Sequence, residues 1–295
     1  YERRFVYGLL AAGGTLGILI PPSIPLIIYG FVTEESVIAL FLAGIAPGLG
    51  LIALFVGYSV ISARFFQSYT PLPVAGWAER RAATLRALPS ILLALVILGG
   101  IYSGAFTPTE AAAIGFTLAL VITGAVLRSL SWAKLWDAVV DAMATTVAIL
   151  VIIAGAKVFG KAITLYRIPQ DISMMIADHI ATPLGLILVV SAVLLMMGLV
   201  FEALSMILIM TPVRLPAATG MGFDPIWFGI YMVIIVECAL ITPPVGLNLY
   251  VIQSVTHSTL WDVSRGTLPF LALMLAMVAV LYLLPELALY IPFKL

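Results

Sequence analysis

This sequence predicts an all-α, polytopic membrane protein with inverted repeats, broken transmembrane helices and a re-entrant hairpin, and three observations carry the prediction. Apolar stretches of about 20 residues, the length a helix needs to cross a bilayer, recur along nearly all of the 295 residues. Charged residues make up 9% of the chain and hydrophobic ones 63%, with a mean hydropathy of +1.20. Soluble domains carry roughly a quarter charged residues, so most of this chain belongs in lipid. The same interruption then occurs twice, as Ile20-Pro21-Pro22-Ser23 and Thr242-Pro243-Pro244-Val245, each inside an apolar run of spanning length.

Proline has no N–H and cannot bond the carbonyl four residues back. Pro21 and Pro22 therefore free the carbonyls of Gly17 and Ile18, and Pro243 and Pro244 free those of Ala239 and Leu240, at depths without bulk water. Irregular backbone survives there only beside a cavity or packed protein. Discontinuous helices paired across a repeat are where secondary transporters hold coupling ions and substrate. A small hard cation takes several oxygens, here carbonyls joined by a hydroxyl such as that of Thr242.

Composition narrows the function classes. With 14 basic and 14 acidic residues the net charge is zero, and the scattered basic residues argue against nucleic acid and serve only as a topology signal. Little sequence remains outside the apolar runs for an ATPase. The single cysteine, Cys238, permits no intramolecular disulfide and has no companion for a metal site.

Residues 5–30 form the first broken span, and Thr33 with Glu34 and Glu35 predicts a helix start for a second over 36–62. The stretch 63–86 is the most polar in the protein. Spans follow at 88–104 and 109–127, joined by Thr107-Pro108-Thr109-Glu110. This is a capping box with proline at the first helical position, in which Glu110 satisfies backbone donors. Trp132, Leu135, Asp137 and Asp141 give 130–142 the mixed surface of an interfacial lead-in to a span over 143–163. Residues 169–181 read as another interfacial helix, with His179 as a surface histidine lacking ligand-type neighbours. Two apolar legs in 183–218 flank Phe201-Glu202-Ala203-Leu204-Ser205; legs of about 16 residues are short for a crossing and predict the re-entrant hairpin. A second broken span over 225–253, an interfacial piece near 257–265 and a last span over 267–292 complete the chain.

Sliding the chain against itself by 222 residues aligns Tyr1-Glu2 with Phe223-Asp224, Phe5 with Trp227, and one proline pair with the other. Equivalent halves predict a counterpart of residues 183–222 ahead of Tyr1. Five crossings between residues 5 and 163, followed by a hairpin returning to its own side, put Tyr1 and Phe223 on opposite faces and make the repeats inverted. The face holding Arg3, Arg4, Arg64, Arg80, Arg81, Arg86, Arg128, Lys134 and Arg265 is the more basic, and the positive-inside rule makes it cytoplasmic. Lys157 and Lys161 sit within the span ending near 163. Lys161 reads as snorkelling outward, and Lys157 as facing a cavity where it helps hold an anionic substrate.

Four motifs together resemble one family. Gly14-Thr15-Leu16-Gly17-Ile18-Leu19-Ile20-Pro21-Pro22-Ser23-Ile24-Pro25, Phe106-Thr107-Pro108-Thr109-Glu110-Ala111-Ala112, Gly222-Phe223-Asp224-Pro225-Ile226-Trp227-Phe228-Gly229 and Ile241-Thr242-Pro243-Pro244-Val245-Gly246-Leu247-Asn248 are similar to the large membrane subunit of tripartite ATP-independent periplasmic (TRAP) transporters. The resemblance implies a multi-pass protein of the cytoplasmic (inner) membrane, in the elevator-type class of ion transporters. It implies sodium-coupled import of small organic acids such as a C4-dicarboxylate or sialic acid. The partners implied are a periplasmic solute-binding protein and a small four-helix membrane subunit, with membrane lipid around them. Na+ is the coupling ion and no organic cofactor is implied.

Carried over residue by residue, one sodium seat falls on Gly17, Ile20 and Pro22, together with an earlier hairpin. The other falls on Ala239, Thr242 and Val245, with Gly198 from the second hairpin. Substrate candidates are Ser23, Glu202, Ser205, Asn248 and Lys157. Glu202 departs from the family's more usual aspartate at the hairpin tip; it either orders the loop or touches substrate. Glu237 reads as a polar helix–helix contact. The implied organisation is 1–31 as the first broken helix of a transport core, 32–142 as scaffold helices and a cytoplasmic loop, 143–253 as the second-repeat core, and 254–295 as an interfacial segment and C-terminal scaffold helix.

Rival readings stay open. A stand-alone sodium/dicarboxylate symporter needs no binding protein. An intramembrane enzyme needs clustered acids, histidines or a metal motif on facing helices, which the sequence does not display. A non-transporting assembly subunit is the third.

Overall fold

A computed structural model of the chain describes residues 1–65, 74–167 and 182–294. The expected interfacial helix at 169–181, with His179, lies outside the described residues. Contacts divide the chain into two units, Tyr1–Tyr69 with Ile152–Leu295, and Thr70–Val151.

The first unit contains a structural repeat. α1 (Arg3–Leu19), a break, α2 (Ile24–Thr33) and α3 (Val37–Phe65) recur as α9 (Pro225–Leu240), a break, α10 (Leu247–Thr256) and α11 (Leu260–Leu283). The helix starts correspond to within a residue or two of the 222-residue offset. α2 and α10 each end in a non-glycine residue of left-handed geometry, Glu34 (φ 62°) and His257 (φ 51°). The third helix of each set then begins on a hydroxyl. Ser36 Oγ accepts the Ala39 N–H at 3.3 Å, and Thr259 Oγ1 accepts the Asp262 N–H at 3.2 Å. Thr33, expected to start the second span, instead closes α2, because Glu34 turns the chain before Ser36 can cap it.

α1 lies closely against α11, where Gly8 and Gly266 leave no room for side chains and Arg4 pairs with Asp262 at 2.8 Å. Phe5, Tyr58 and Phe55 pack around Phe270 beside that seam. α9 is the centre of the unit, with every residue from Ile226 to Leu240 buried. Its polar groups are tied outward: Trp227 Nε1 donates to the Leu281 carbonyl at 3.1 Å, the Tyr231 hydroxyl reaches the Ile187 carbonyl at 2.9 Å, and the Tyr29 hydroxyl donates to the Pro225 carbonyl at 2.7 Å. α7 (Pro183–Met197) and α8 (Ala203–Gly220) form the hairpin, with α8 continuous through Pro212 and Pro216. A short α12 (Glu286–Lys294) packs on α3.

In the second unit, α4 (Trp77–Tyr102) packs on α5 (Pro108–Val121), which ends in a π turn over Ile122–Val126. The Phe106 ring occupies the space that Gly100 leaves, and the Thr107–Glu110 capping box forms as expected. α6 runs unbroken from Trp132 to Leu165. The interfacial lead-in expected at 130–142 and the span after it are therefore one helix, since no residue between them interrupts the backbone ladder.

The chain is all-α and polytopic. Among the described residues, six helices are long and apolar enough to span a membrane (α3, α4, α5 with its π turn, α6, α8 and α11), and α1 with α2, bent by 40°, makes a seventh. α7, at 15 residues, is about 22 Å long and short for a crossing; α8, at 18, reaches about 27 Å.

Candidate functional site

At the first break Ile20 leaves helical geometry (φ −77°, ψ 127°) while its N–H still reaches the Leu16 carbonyl at 2.9 Å. Buried Ser23 then joins the two half-helices. Its hydroxyl donates to the Ile18 carbonyl and accepts the Leu26 N–H at 3.3 Å, capping α2. The Ile18 carbonyl, expected to be free, is thus occupied, and the hydroxyl proton of Ser23 is committed to the chain rather than available to a substrate. Gly17 and Pro22 face outward, and a side chain added at Gly13, Gly14 or Gly17 would meet nothing within 4 Å.

The second break is closed differently. The Ile241 N–H bonds the Cys238 carbonyl and the Thr242 N–H bonds the Ala239 carbonyl, both at 3.2 Å, which tightens the last turn of α9. The Ala239 carbonyl, expected to be free, has one donor and keeps its second lone pair. The Thr242 hydroxyl donates to the Cys238 carbonyl at 2.7 Å, so its own lone pairs remain acceptors. The Gly246 N–H returns to the Thr242 carbonyl at 3.1 Å, and Gly246 lies so close to the Leu240 carbonyl that a side chain would not fit. Thr242, Val245 and Asn248 are half-buried. In both breaks the peptide bond between the two prolines is cis.

The hairpin tip rests on the second break. A Cβ at Gly198 would run into the backbone and Cβ of Ala239. These two residues, assigned by resemblance to one seat, are therefore in direct contact. Glu202 caps α8, accepting the Leu204 N–H at 2.9 Å, the Ser205 N–H at 2.7 Å and the Ser205 hydroxyl at 2.8 Å. Its carboxylate orders the hairpin loop, with Ser205 as its partner.

Lys157 lines a cleft of about 380 Å³ with Lys161, Val32, Ile153, Leu208 and Pro212, and its ammonium lies 5.0 Å from the centre of the Phe31 ring, a cation–π contact. A neighbouring cleft shares Ala156 and Leu208 and reaches Ser205.

Glu237, read from the sequence as a polar helix–helix contact, sits at the centre of the unit. It is fully buried on α9, and neither carboxyl oxygen has a hydrogen-bond partner among the described residues.

Residues 1–287 match the family profile described as tripartite ATP-independent periplasmic transporter, DctM component. The chain is 39% identical over 294 residues to the C4-dicarboxylate TRAP transporter large permease protein DctM of Pseudomonas aeruginosa, covering 99% of this chain and 68% of that protein. It is 36% identical over 298 residues to the sialic acid TRAP transporter large permease protein SiaM of Vibrio cholerae, with the same coverage. It is also 33% identical to the isethionate TRAP transporter permease protein DctMQ of Oleidesulfovibrio alaskensis, over 98% of this chain and 46% of that protein.

Proposed function

The chain belongs to the DctM component family of tripartite ATP-independent periplasmic transporters, and we propose that it forms the sodium-coupled path by which such a transporter carries small organic acids across the inner membrane. The observation that carries this reading is the contact of Gly198 with Ala239 at a helix break whose Thr242 hydroxyl keeps its lone pairs available. Na+ is held by backbone oxygens of Gly17, Ile20 and Pro22 at one break, and of Ala239, Thr242, Val245 and Gly198 at the other. Carbonyls with spare lone pairs, joined by one hydroxyl, are the donor set that suits a hard monovalent cation.

Cargo is an organic anion handed over by a periplasmic binding protein, and the permease works with a small membrane subunit. Asn248 and Lys157 are the candidates whose polar groups are not tied into a cap, and they orient the anionic group. Sodium sets the hairpin tip against the second break. The transport core then moves as an elevator, so that the ion gradient drives uptake.

The test is uptake of labelled succinate and of labelled sialic acid into proteoliposomes holding the full-length permease and small subunit, with and without the binding protein and an inward sodium gradient. Uptake of one of these requiring both additions is expected. Uptake without the binding protein would favour a stand-alone symporter, and uptake indifferent to sodium would overturn the coupling.

A further inference from the structure

Lys157 and Lys161 lie one turn apart on α6, a helix of spanning length, and both line the cleft of about 380 Å³ beside α8. Neither forms an ion pair among the described residues, and none of the described residues lining the cleft is acidic. An ionisable group in such a helix is costly and by default marks a site. The neighbouring cleft, of about 310 Å³, continues the first through Ala156 and Leu208. Its character is different. Ile152, Phe159 and Ile209 form its walls, and Gly155 lines it with nothing within 4 Å of the point where a side chain would begin. Along α8 the combined groove runs from Pro212 through Leu208 to Ser205, a length of about 10 Å at the rise of a helix.

A carboxylate fits the lysine end, where charge-assisted hydrogen bonds from two ammonium groups replace its hydration. At the other end the chemistry turns against a second charge. The Ser205 hydroxyl is already donated to the Glu202 carboxylate at 2.8 Å, so the last polar group of the groove is committed and a negative charge stands behind it. Between the ends the described walls offer no side-chain donor. A dicarboxylate laid along the groove would bury its second head without a partner and against a like charge. An uncharged apolar body gains from the same walls. We propose that the two clefts form one cargo groove, selective for acids with a single carboxylate and an uncharged, mainly apolar body. Lys157 and Lys161 hold the head, and Phe159 and Ile209 flank the body. This inference rests on the reading of Lys157 as a cargo group and names the class of acid which that reading leaves open.

A binding protein imposes its own selectivity, so the test omits it. Equilibrium binding of labelled 4-methylpentanoate and of labelled succinate is measured on the full-length permease with its small subunit, in phosphatidylcholine nanodiscs with sodium chloride, net of binding to empty nanodiscs. 4-Methylpentanoate is expected to bind about 10-fold tighter, since two or three methylenes are buried in place of a charge. Succinate binding equally well or better overturns the proposal. Gly155→Leu fills the apolar half from an exposed position where glycine is the poorer helix former, so folding is not at risk. It should remove the preference for 4-methylpentanoate, and a preference as large as the parent's overturns the proposal. Lys157→Gln combined with Lys161→Gln should weaken 4-methylpentanoate about 10-fold, with unchanged affinity again overturning it. Phosphatidylglycerol added to the nanodiscs should leave the acid bound; displacement would assign the groove to a lipid and sink the cargo reading of it. If neither acid binds, the proposal falls, and sodium-driven uptake by the same preparation with its binding protein shows whether the proposed function stands without it.

Discussion

The two helix breaks share one device, a proline pair, and satisfy its consequences in opposite ways. At the first, a side chain does the sealing: Ser23 binds the Ile18 carbonyl near the end of one half-helix and the Leu26 N–H in the first turn of the next. At the second, backbone does it. Thr242 and Ile241 tighten the end of α9, Gly246 folds back, and Gly198 of the hairpin lies on Ala239. No side chain caps α10, whose N-cap is Gly246. Surroundings differ as sharply, since α9 is buried on all sides while the Gly13-Gly14-Gly17 face of α1 is open. The contrast teaches that a broken helix needs only that its freed groups find partners. Which groups are left for a ligand depends on who supplies those partners.

The contrast can be broken most forcefully at the hairpin tip. Gly198→Ala drives a methyl group into the Ala239 backbone, and overpacking of this kind costs about 3 kcal/mol. We expect the largest fall in melting temperature of this set and loss of sodium-induced stabilisation. A variant with parental values would mean that the tip does not rest on the break.

Next comes Ser23→Ala, which strands the Ile18 carbonyl and uncaps α2 together, at about 2 kcal/mol. Its effect should appear in the sodium-free melting temperature, with Ser23→Thr restoring most of it. Thr242→Ala removes one hydrogen bond at the end of α9, a loss of about 1 kcal/mol. Here the sodium titration is the sharper readout: weaker sodium affinity is expected, with Thr242→Ser close to the parent, and unchanged affinity would count against the second seat. The smallest effect belongs to Gly17→Ala, at the repeat position equivalent to Ala239. With open space beyond it, the change should stay within about 0.5 kcal/mol. A large loss there would show that the face of α1 is covered in the assembled transporter, which differential scanning of the permease with and without its partners would distinguish.

Much was legible before any coordinates. Proline cannot donate, so both breaks were fixed by Pro21-Pro22 and Pro243-Pro244 alone, and the 222-residue offset that aligns them also aligns the helices on either side. Thr107 and Glu110 formed the expected capping box because that chemistry lies within four residues. The sequence was misleading at two element boundaries. Thr33 was read as a helix start, but Glu34 adopts a left-handed turn and Ser36 does the capping, and the lead-in at 130–142 had no feature to mark that α6 would run straight through it.

By itself, then, the sequence determined the class of the protein, its spanning helices and the two places where the backbone ladder stops, because hydropathy, proline and caps act over a few residues. The tertiary structure alone decided that Gly198 meets Ala239, that the Tyr231 hydroxyl reaches Ile187, and that Glu237 is buried without a hydrogen-bond partner among the described residues. Those contacts join residues tens to hundreds of positions apart. Their geometry depends on the packing of whole helices, which no local pattern encodes.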